Sequence, residues 1–470
     1  MHSRLNSVAV AVALSGSVAV FTACNDTSNV PSAPITVGAP LEVRTPSGPS
    51  VTGTNPSYGH RGETNKPVTI TGSGFSAGAT VEWDRGGIAD PKIAVISATV
   101  MSSTQINAVI TISADADLSF YDVVVMSADR KKGVGTELFV VTTATSIGTL
   151  GGNTVARAAN DNVSGPRVVG YSVVGNAQHA FYWPGPGGTL TDLGLGDAGQ
   201  IDQNGGTIAG NSGGFAVTWA ASSGWSLLRL PVATGAPGSQ VGALASGLDG
   251  AALYIGGAEK VLGKGNSRLD RPRLWTYNSL TGGWDIVVLQ MPRSESDAYS
   301  WVNGVNVAGQ AAGAVRVGSA ASQVVFWDSD HTATILPGAL GGMASGGINR
   351  AGTMIAGANS SGVAAYWTRD PTTGIWSGPI ALPGGCERAT GIDDNNRIIG
   401  NRCPNAGNRY VSAIWAPPYD SANMTTLRGL GDKTDEGAAW GISPNGSLIS
   451  GTAPTSGSSN KVGVIWGSTF

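Results

Sequence analysis

Apolar and polar residues alternate in short runs along this chain, and after residue 151 the runs recur in a fixed order. First comes a run ending in a turn of the Gly-Ile-Asn type: Ala158-Ala159-Asn160, Gln200-Ile201-Asp202, Gly247-Leu248-Asp249, Gly304-Val305-Asn306, Gly347-Ile348-Asn349, Gly391-Ile392-Asp393 and Gly441-Ile442-Ser443. Next is a run ending in Gly, such as Arg167-Val168-Val169-Gly170 or Leu253-Tyr254-Ile255-Gly256. The third ends in Trp, at Trp183, Trp219, Trp275, Trp327, Trp367, Trp415 and Trp466. The fourth carries Leu or Pro-Gly, as in Leu190-Thr191-Asp192-Leu193-Gly194. Period-two alternation bounded by turn residues predicts half-buried strands. Successive Trp residues lie 36 to 56 positions apart, about 47 on average. A drifting period of that size predicts an array of small β units, most simply a propeller.

Counting strands predicts how the array closes. Fourth strands are expected near residues 190, 227, 286, 333, 379 and 425, and the seventh unit has none after Trp466. Ser146-Ile147-Gly148-Thr149-Leu150-Gly151 fits the fourth-strand pattern and precedes the first unit. The expectation is that 146–151 pairs with 461–466, completing a seven-bladed β-propeller over 145–470.

Residues 51–142 show six or seven alternating runs of their own, as a two-sheet sandwich requires. They include Asn55-Pro56, Val68-Thr69-Ile70-Thr71-Gly72-Ser73-Gly74-Phe75 and Ala77-Gly78-Ala79-Thr80-Val81-Glu82-Trp83. This segment resembles the IPT/TIG family of immunoglobulin-like domains, with its early Pro, its Gly-x-Gly-Phe and its Gly-Ala-x-Val strand. The resemblance implies an Ig-like β-sandwich serving as a spacer or binding adaptor. The first repeat, with His179-Ala180-Phe181-Tyr182-Trp183 and Thr191-Asp192-Leu193-Gly194, resembles the bacterial extracellular HAF repeat family. Later units drift from the His-Ala-Phe triplet, and that family implies no particular activity.

Composition agrees with an all-β fold. Gly makes up 70 of 470 residues, and charged residues only 13%. Gly at that density in an alternating chain supplies turns and bulges. A hydrophobic content of 41% and 13 Trp argue against a disordered polymer. Net charge is −3 with no basic block, which argues against nucleic-acid binding. Four scattered His argue against a His-based metal centre, and no cofactor motif is present. The oxygen-rich turns at 160–162 and 393–396 lack the spacing of a Ca²⁺ loop.

Residues 1–23 carry Arg4 and an apolar stretch from Val8 to Thr22, and read as an export signal. Phe21-Thr22-Ala23-Cys24 resembles a bacterial lipobox, which implies lipidation of Cys24 and a membrane anchor at the cell surface; simple secretion is the alternative. Residues 24–50, rich in Pro, Ser and Thr, are expected to be a flexible tether. With Cys24 lipidated, Cys386 and Cys403 remain as an even pair. Pairing Ile392 with Arg397 across the turn 393–396 would place the two Cys opposite each other, where a disulfide fits; separate thiols are the alternative.

Candidate ligand-binding residues sit on irregular segments. The segment 256–273 gathers Lys260, Lys264, Arg268, Arg271 and Arg273, a basic loop for an anionic glycan or acidic partner. Tyr419, in Pro417-Pro418-Tyr419-Asp420, could stack on a sugar. No paired carboxylates or His/Tyr/Arg cluster aligns across the repeats, as propeller hydrolases and lyases need. The function expected is non-enzymatic binding or scaffolding at the cell envelope, for a glycan or an envelope protein. The alternative is an extracellular polysaccharide hydrolase or lyase.

Overall fold

The computed structural model describes residues 48–160, 165–233, 235–246, 251–263, 267–338, 341–403, 411–430, 437–454 and 460–467. Cys24, Lys264 and the third turn, Gly247-Leu248-Asp249, lie outside them. The fold is all-β, built from many small sheets, and no α-helix occurs among the described residues.

Two sheets fill 50–141. One orders the strands Ser50–Asn55, Lys66–Ser73, Gln105–Ile112 and Ile93–Ser102; the other orders Tyr58–Gly59, Lys132–Val141, Phe120–Met126, Thr80–Arg85 and Ile88–Ala89. They share one core, in which Val68, Ile70, Ile106, Trp83, Tyr121 and Phe139 are buried. Gly72 lies opposite a bulge in the first strand, where a Cβ would meet the Ser50 carbonyl oxygen at 1.9 Å. Phe75 follows it into that core. These sheets seat against the segment 428–430. Thr142 Oγ1 donates to the Arg428 carbonyl at 2.9 Å, and Ser57 Oγ to that of Leu430 at 3.0 Å. The Arg428 guanidinium lies over the Phe120 ring at 5.0 Å.

Seven four-stranded antiparallel sheets follow among the described residues, here numbered I to VII. Sheet I runs from Thr154 to Leu195, II from Asp197 to Arg229, III from Gly238 to Val288 and IV from Ala298 to Ile335. Sheet V runs from Met343 to Ala381, VI from Gly385 to Leu427 and VII from Ala438 to Gly467. Sheet VII takes its fourth strand from Ala144–Gly148, which pairs Ala144 with Trp466 and Ser146 with Val464. The repeat Gly lies within the second strand rather than at its end. In sheet III its equivalent is Gly257, paired with Val241, not Gly256.

The seven repeat Trp residues are all at most 4% exposed. Each belongs to a hydrophobic cluster that joins two successive sheets. Trp219 packs with Val169 of sheet I, Trp275 with Ala209 of II and Trp327 with Leu274 of III. Trp367 packs with Phe326 of IV, Trp415 with Ala356 of V and Trp466 with Ile414 of VI. Trp183 of sheet I shares its cluster with Ile465 of sheet VII. Five indoles also donate to the chain just beyond the preceding sheet: Trp275 to Pro231 O at 2.7 Å, Trp327 to Gln290 O at 2.8 Å, Trp367 to Pro337 O and Trp415 to Pro383 O at 2.9 Å, and Trp466 to Arg428 O at 2.7 Å. The Trp column is therefore the glue between sheets, through its buried area in all seven and its N–H in five.

The Asn/Asp column links sheets at the end of the first strand, one ladder step from the Trp. Asn160 accepts from Arg167 N and donates to Asp202 O at 2.9 Å. Asn306 donates to Arg350 O at 3.2 Å, and Asn349 to Asn396 Oδ1 at 2.7 Å. Asn here both closes its own turn and bonds the next sheet. Asp202, 3% exposed, accepts from Gly206 N at 2.7 Å but has no side-chain N–H to give. Burial pushes its carboxyl above the ordinary range, more than its backbone hydrogen bonds pull it down. Asp202→Asn is therefore expected to stabilise the fold by about 1 kcal/mol. A raised folded pKa penalises the ionised form at neutral pH, and the penalty fades as pH falls through that pKa toward the unfolded value. The gain measured by urea unfolding should be largest at pH 7 and vanish at acid pH; an equal gain at both would contradict a charge origin.

Cys386 and Cys403 form a disulfide, with Cα atoms 5.5 Å apart. The ladder beside it differs from the expected one. Ile392 pairs with Ile398 rather than Arg397, and a bulge between Ala389 and Gly391 shifts the register by one.

Candidate functional site

The first strand of every one of the seven sheets carries a bulge at the same place. The register breaks between Ala156 and Ala158, Ala198 and Gln200, Val241 and Ala243, Val302 and Gly304, Met343 and Gly347, Ala389 and Gly391, and Ala439 and Gly441. A bulge leaves one residue outside the ladder and re-aims it. Here those residues are Arg157, Gly199, Gly242, Asn303, Thr390 and Trp440, with Gly346 just before the resumed pairing in sheet V. All seven line a single cavity of about 560 Å³. The repeat Gly of the second strand makes the bulge possible. A Cβ on Gly170 would meet Val155 O at 1.9 Å, and one on Gly313 would meet Trp301 O at the same distance.

The wall is uneven around its circumference. Sheets VI, VII, I and II contribute Arg388, Thr390, Trp440, Arg157 and Asp197 in succession. Sheets III and V contribute Gly242 and Gly346, with Trp301 and Asn303 from sheet IV between them. Glycine backbone thus alternates with charged, polar and aromatic side chains around the lining.

Arg157 is the most constrained group in that wall. Its Nη2 lies 3.2 Å from Asp197 Oδ2, and its guanidinium lies over the Trp440 ring at 5.2 Å and the Tyr171 ring at 5.3 Å. One carboxylate and two aromatic faces fix a planar cation, so little freedom remains to be lost on binding. Burial nonetheless pushes the Asp197 carboxyl above its usual range, outweighing the attraction of Arg157. In the turns that follow the first strands, Arg350 Nε pairs with Asp394 Oδ2 at 2.7 Å. Arg388 is exposed and forms no hydrogen bond or ion pair among the described residues.

Three buried polar atoms on this lining have no hydrogen-bond partner: Asp197 Oδ1, Arg350 Nη1 and Trp440 Nε1. Buried polar groups are nearly always bonded, and leaving one unbonded costs about 1–3 kcal/mol. No group of three His, Cys, Asp or Glu suited to a metal occurs among the described residues.

The residues singled out on sequence alone lie elsewhere. The expected loop 256–273 is largely strand: Ala252–Leu262 pairs with Arg268–Asn278 in sheet III. Most of its charges among the described residues are committed to one another or to nearby backbone. Lys260 pairs with Asp270 at 3.0 Å, and Arg273 with the fully buried Glu259 at 2.7 Å. Arg271 donates to the Ala298 carbonyl. Arg268 is exposed on the strand. Tyr419 donates its hydroxyl to Asn396 O at 2.6 Å and packs its ring on Tyr366, with centroids 4.6 Å apart. Its ring thus holds sheet VI to sheet V, and burial pushes its hydroxyl pKa up. None of these residues lines the cavity. The cavity wall has no recurring residue type to mark it, because its residues occupy columns that vary from repeat to repeat.

No family model matches the chain, and no curated protein matches it. Solved structures that resemble it do so at low identity. Porphyromonas gingivalis dipeptidyl peptidase 4 matches at 10% identity and TM-score 0.34, over 75% of this chain and 57% of that one. A structure from a study of two prolyl endopeptidases matches at 10% identity and TM-score 0.42, over 67% and 50%. The structure of YjhT matches at 11% identity and TM-score 0.32, over 67% of this chain and 94% of that one. The chain thus spans about half the length of the first two.

Proposed function

We propose that the protein is an exported, lipid-anchored binding protein, in which a closed seven-bladed β-propeller takes a polyhydroxylated, glycan-type ligand into its cavity. The observation that carries the ligand class is a lining that sets charged and amide side chains, among them Asp197, Arg350 and Asn303, beside two indoles. Such a lining offers carboxylate acceptors and guanidinium and amide donors, and the indoles of Trp301 and Trp440 offer flat apolar faces. Hydroxyls beside a flat ring are what such a mixture complements.

Closure of the ring is supported by the cluster that joins Trp183 of sheet I to Ile465 of sheet VII, and by Lys461 N donating to Asn153 Oδ1 at 2.7 Å. On this reading Ala144–Gly148 completes the seventh blade. The two sheets over 50–141 are an IPT/TIG-type module, and Cys24 bears the lipid at the end of the tether. A structural disulfide fits an oxidising compartment.

Asp197 favours a second reading, a glycan hydrolase, because a raised carboxyl pKa suits a general acid. Its required partner is badly placed. Asp394 lies beyond its own bulge and Asp197 before its own, about six strand positions apart along the wall, roughly 20 Å at ~3.3 Å per residue. Glycosidase pairs stand about 5–9.5 Å apart. The test is a glycan array on the intact protein, then calorimetry and product analysis on each hit. Saturable binding without cleavage is expected; cleavage abolished by Asp197→Asn would favour the hydrolase, and no binding to any glycan would refute both.

A further inference from the structure

We infer that the cavity selects acidic saccharides, and that Arg388 is the residue that takes their carboxylate. This deepens the glycan-binding reading and rests on it.

Three arginines and two aspartates line the cavity. Two of the arginines are already neutralised, Arg157 by Asp197 and Arg350 by Asp394. Arg388 is the third, and among the described residues it has no anionic partner. The site therefore carries one uncompensated positive charge in a chain whose net charge is −3. A lone arginine on a surface is ordinary. This one stands on the wall that holds the constrained aromatic and polar groups.

Its place on that wall follows from the strands. Arg388 lies two residues before the bulged Thr390, as Asp197 lies two before the bulged Gly199. Thr390 Oγ1 donates to Ala439 O at 2.7 Å, which ties the Arg388 strand to the residue next to Trp440. Trp440 in turn carries the Arg157 guanidinium over its ring. A sugar seated at Trp440 would thus have Asp197 and Arg157 on one side and Arg388 on the other.

A guanidinium takes a carboxylate through two parallel N–H bonds, which a neutral hydroxymethyl group cannot match. The acidic sugars this geometry suits are uronates, whose carboxylate replaces the terminal hydroxymethyl group of a hexose. The arm is also held. Cys386, two residues before Arg388, is bridged to Cys403 just past the end of the neighbouring strand. That bridge pins the beginning of the strand at the point where its ladder is most irregular, between Gly385 and Ala389.

The experiment is calorimetry of the intact protein with neutral hexose oligosaccharides and with uronate oligosaccharides matched in length and linkage. Uronates are expected to bind at least tenfold more tightly in low salt, and the advantage should shrink as salt rises. Arg388→Gln should remove the advantage, weakening the uronates at least tenfold more than the neutral series. Arg388 is exposed, so this variant should fold as the parent does, which circular dichroism checks. Equal affinity for the two series, or equal weakening of both by Arg388→Gln, would overturn the assignment of Arg388 while leaving glycan binding intact. Failure of both series to bind would overturn the glycan reading and this inference with it. Binding of sodium glucuronate or inorganic phosphate as tightly as the oligosaccharide would reduce the site to a simple anion site and also overturn the inference.

Discussion

Trp466→Ala is expected to lower the unfolding free energy by about 3–5 kcal/mol, the range for deleting a fully buried aromatic side chain. The ring is fully buried and packs against Ile414 of sheet VI, Ile449 of its own sheet and Ala144 of the strand 144–148. Its loss therefore opens the contact between two sheets and the seat of the strand that precedes the repeats. Trp466→Phe separates area from hydrogen bonding. It removes the N–H that reaches Arg428 O, but that carbonyl keeps the Thr142 hydroxyl, so the hydrogen-bond part should stay near 1 kcal/mol. Trp219 is the internal control. It is equally buried, yet its Nε1 has no partner. Trp219→Phe should cost only the volume difference and be the milder of the two. Denaturant unfolding of the four variants (Trp466 and Trp219, each to Ala and to Phe) decides this. Equal costs for the two Phe variants would show that the indole N–H contributes nothing at the sheet-to-sheet contact.

The Trp column was readable in sequence because large apolar residues at a steady period have one physical use, which is burial between repeated units. The Asn/Asp column was readable as turns but not as links. Whether Asn160 donates to its own turn or across to Asp202 depends on how closely the next sheet approaches, and no local pattern encodes that distance. The basic segment 256–273 misled for a related reason. A run holding Gly263, Lys264 and Gly265 reads as loop, yet Glu259 and Asp270 sit where a long hairpin brings them to Arg273 and Lys260. Charge density signalled a ligand while the pairing across the ladder used it up.

The cavity wall left a fainter trace. In six of the repeats, the residue three before the Asn, Asp or Ser is Arg157, Gly199, Asn303, Gly346, Thr390 or Trp440. Columns on either side are nearly constant in character, and this one spans glycine to tryptophan. A position that the fold constrains to one backbone shape but not to one side chain is where a repeat protein can vary its surface. The signal was obscured because a bulge breaks the period-two alternation, so Ala156-Arg157-Ala158-Ala159 reads as a flaw in a strand rather than as a residue turned out of the ladder. Sheet III hides it further, with its bulge at Gly242 and a second shift between Ala245 and Ser246.

Asp197→Asn is expected to raise stability and lower ligand affinity together. Its carboxyl has a folded pKa above the ordinary value because burial outweighs the attraction of Arg157. Its ionised form is thus disfavoured in the fold at neutral pH, and that penalty disappears as pH falls through its folded pKa toward the unfolded value. Removing the charge should therefore stabilise the protein at pH 7 and do little at acid pH. The same substitution takes away a charged carboxylate on the cavity lining and loosens the clamp on Arg157. Charged acceptors make hydrogen bonds roughly twice as strong as neutral ones. Affinity for a neutral oligosaccharide should fall at least tenfold, about 1.4 kcal/mol. Asp202→Asn makes the identical chemical change at a buried carboxyl outside the cavity lining. It should share the gain in stability and leave affinity untouched. A carboxylate kept at a cost to the fold, whose neutral replacement weakens binding only where it meets the cavity, is the signature of a group retained for its ligand. If Asp197→Asn instead destabilises the protein at pH 7, the Arg157 pair outweighs its desolvation and Asp197 is structural; if it leaves affinity unchanged, the cavity is not the binding site.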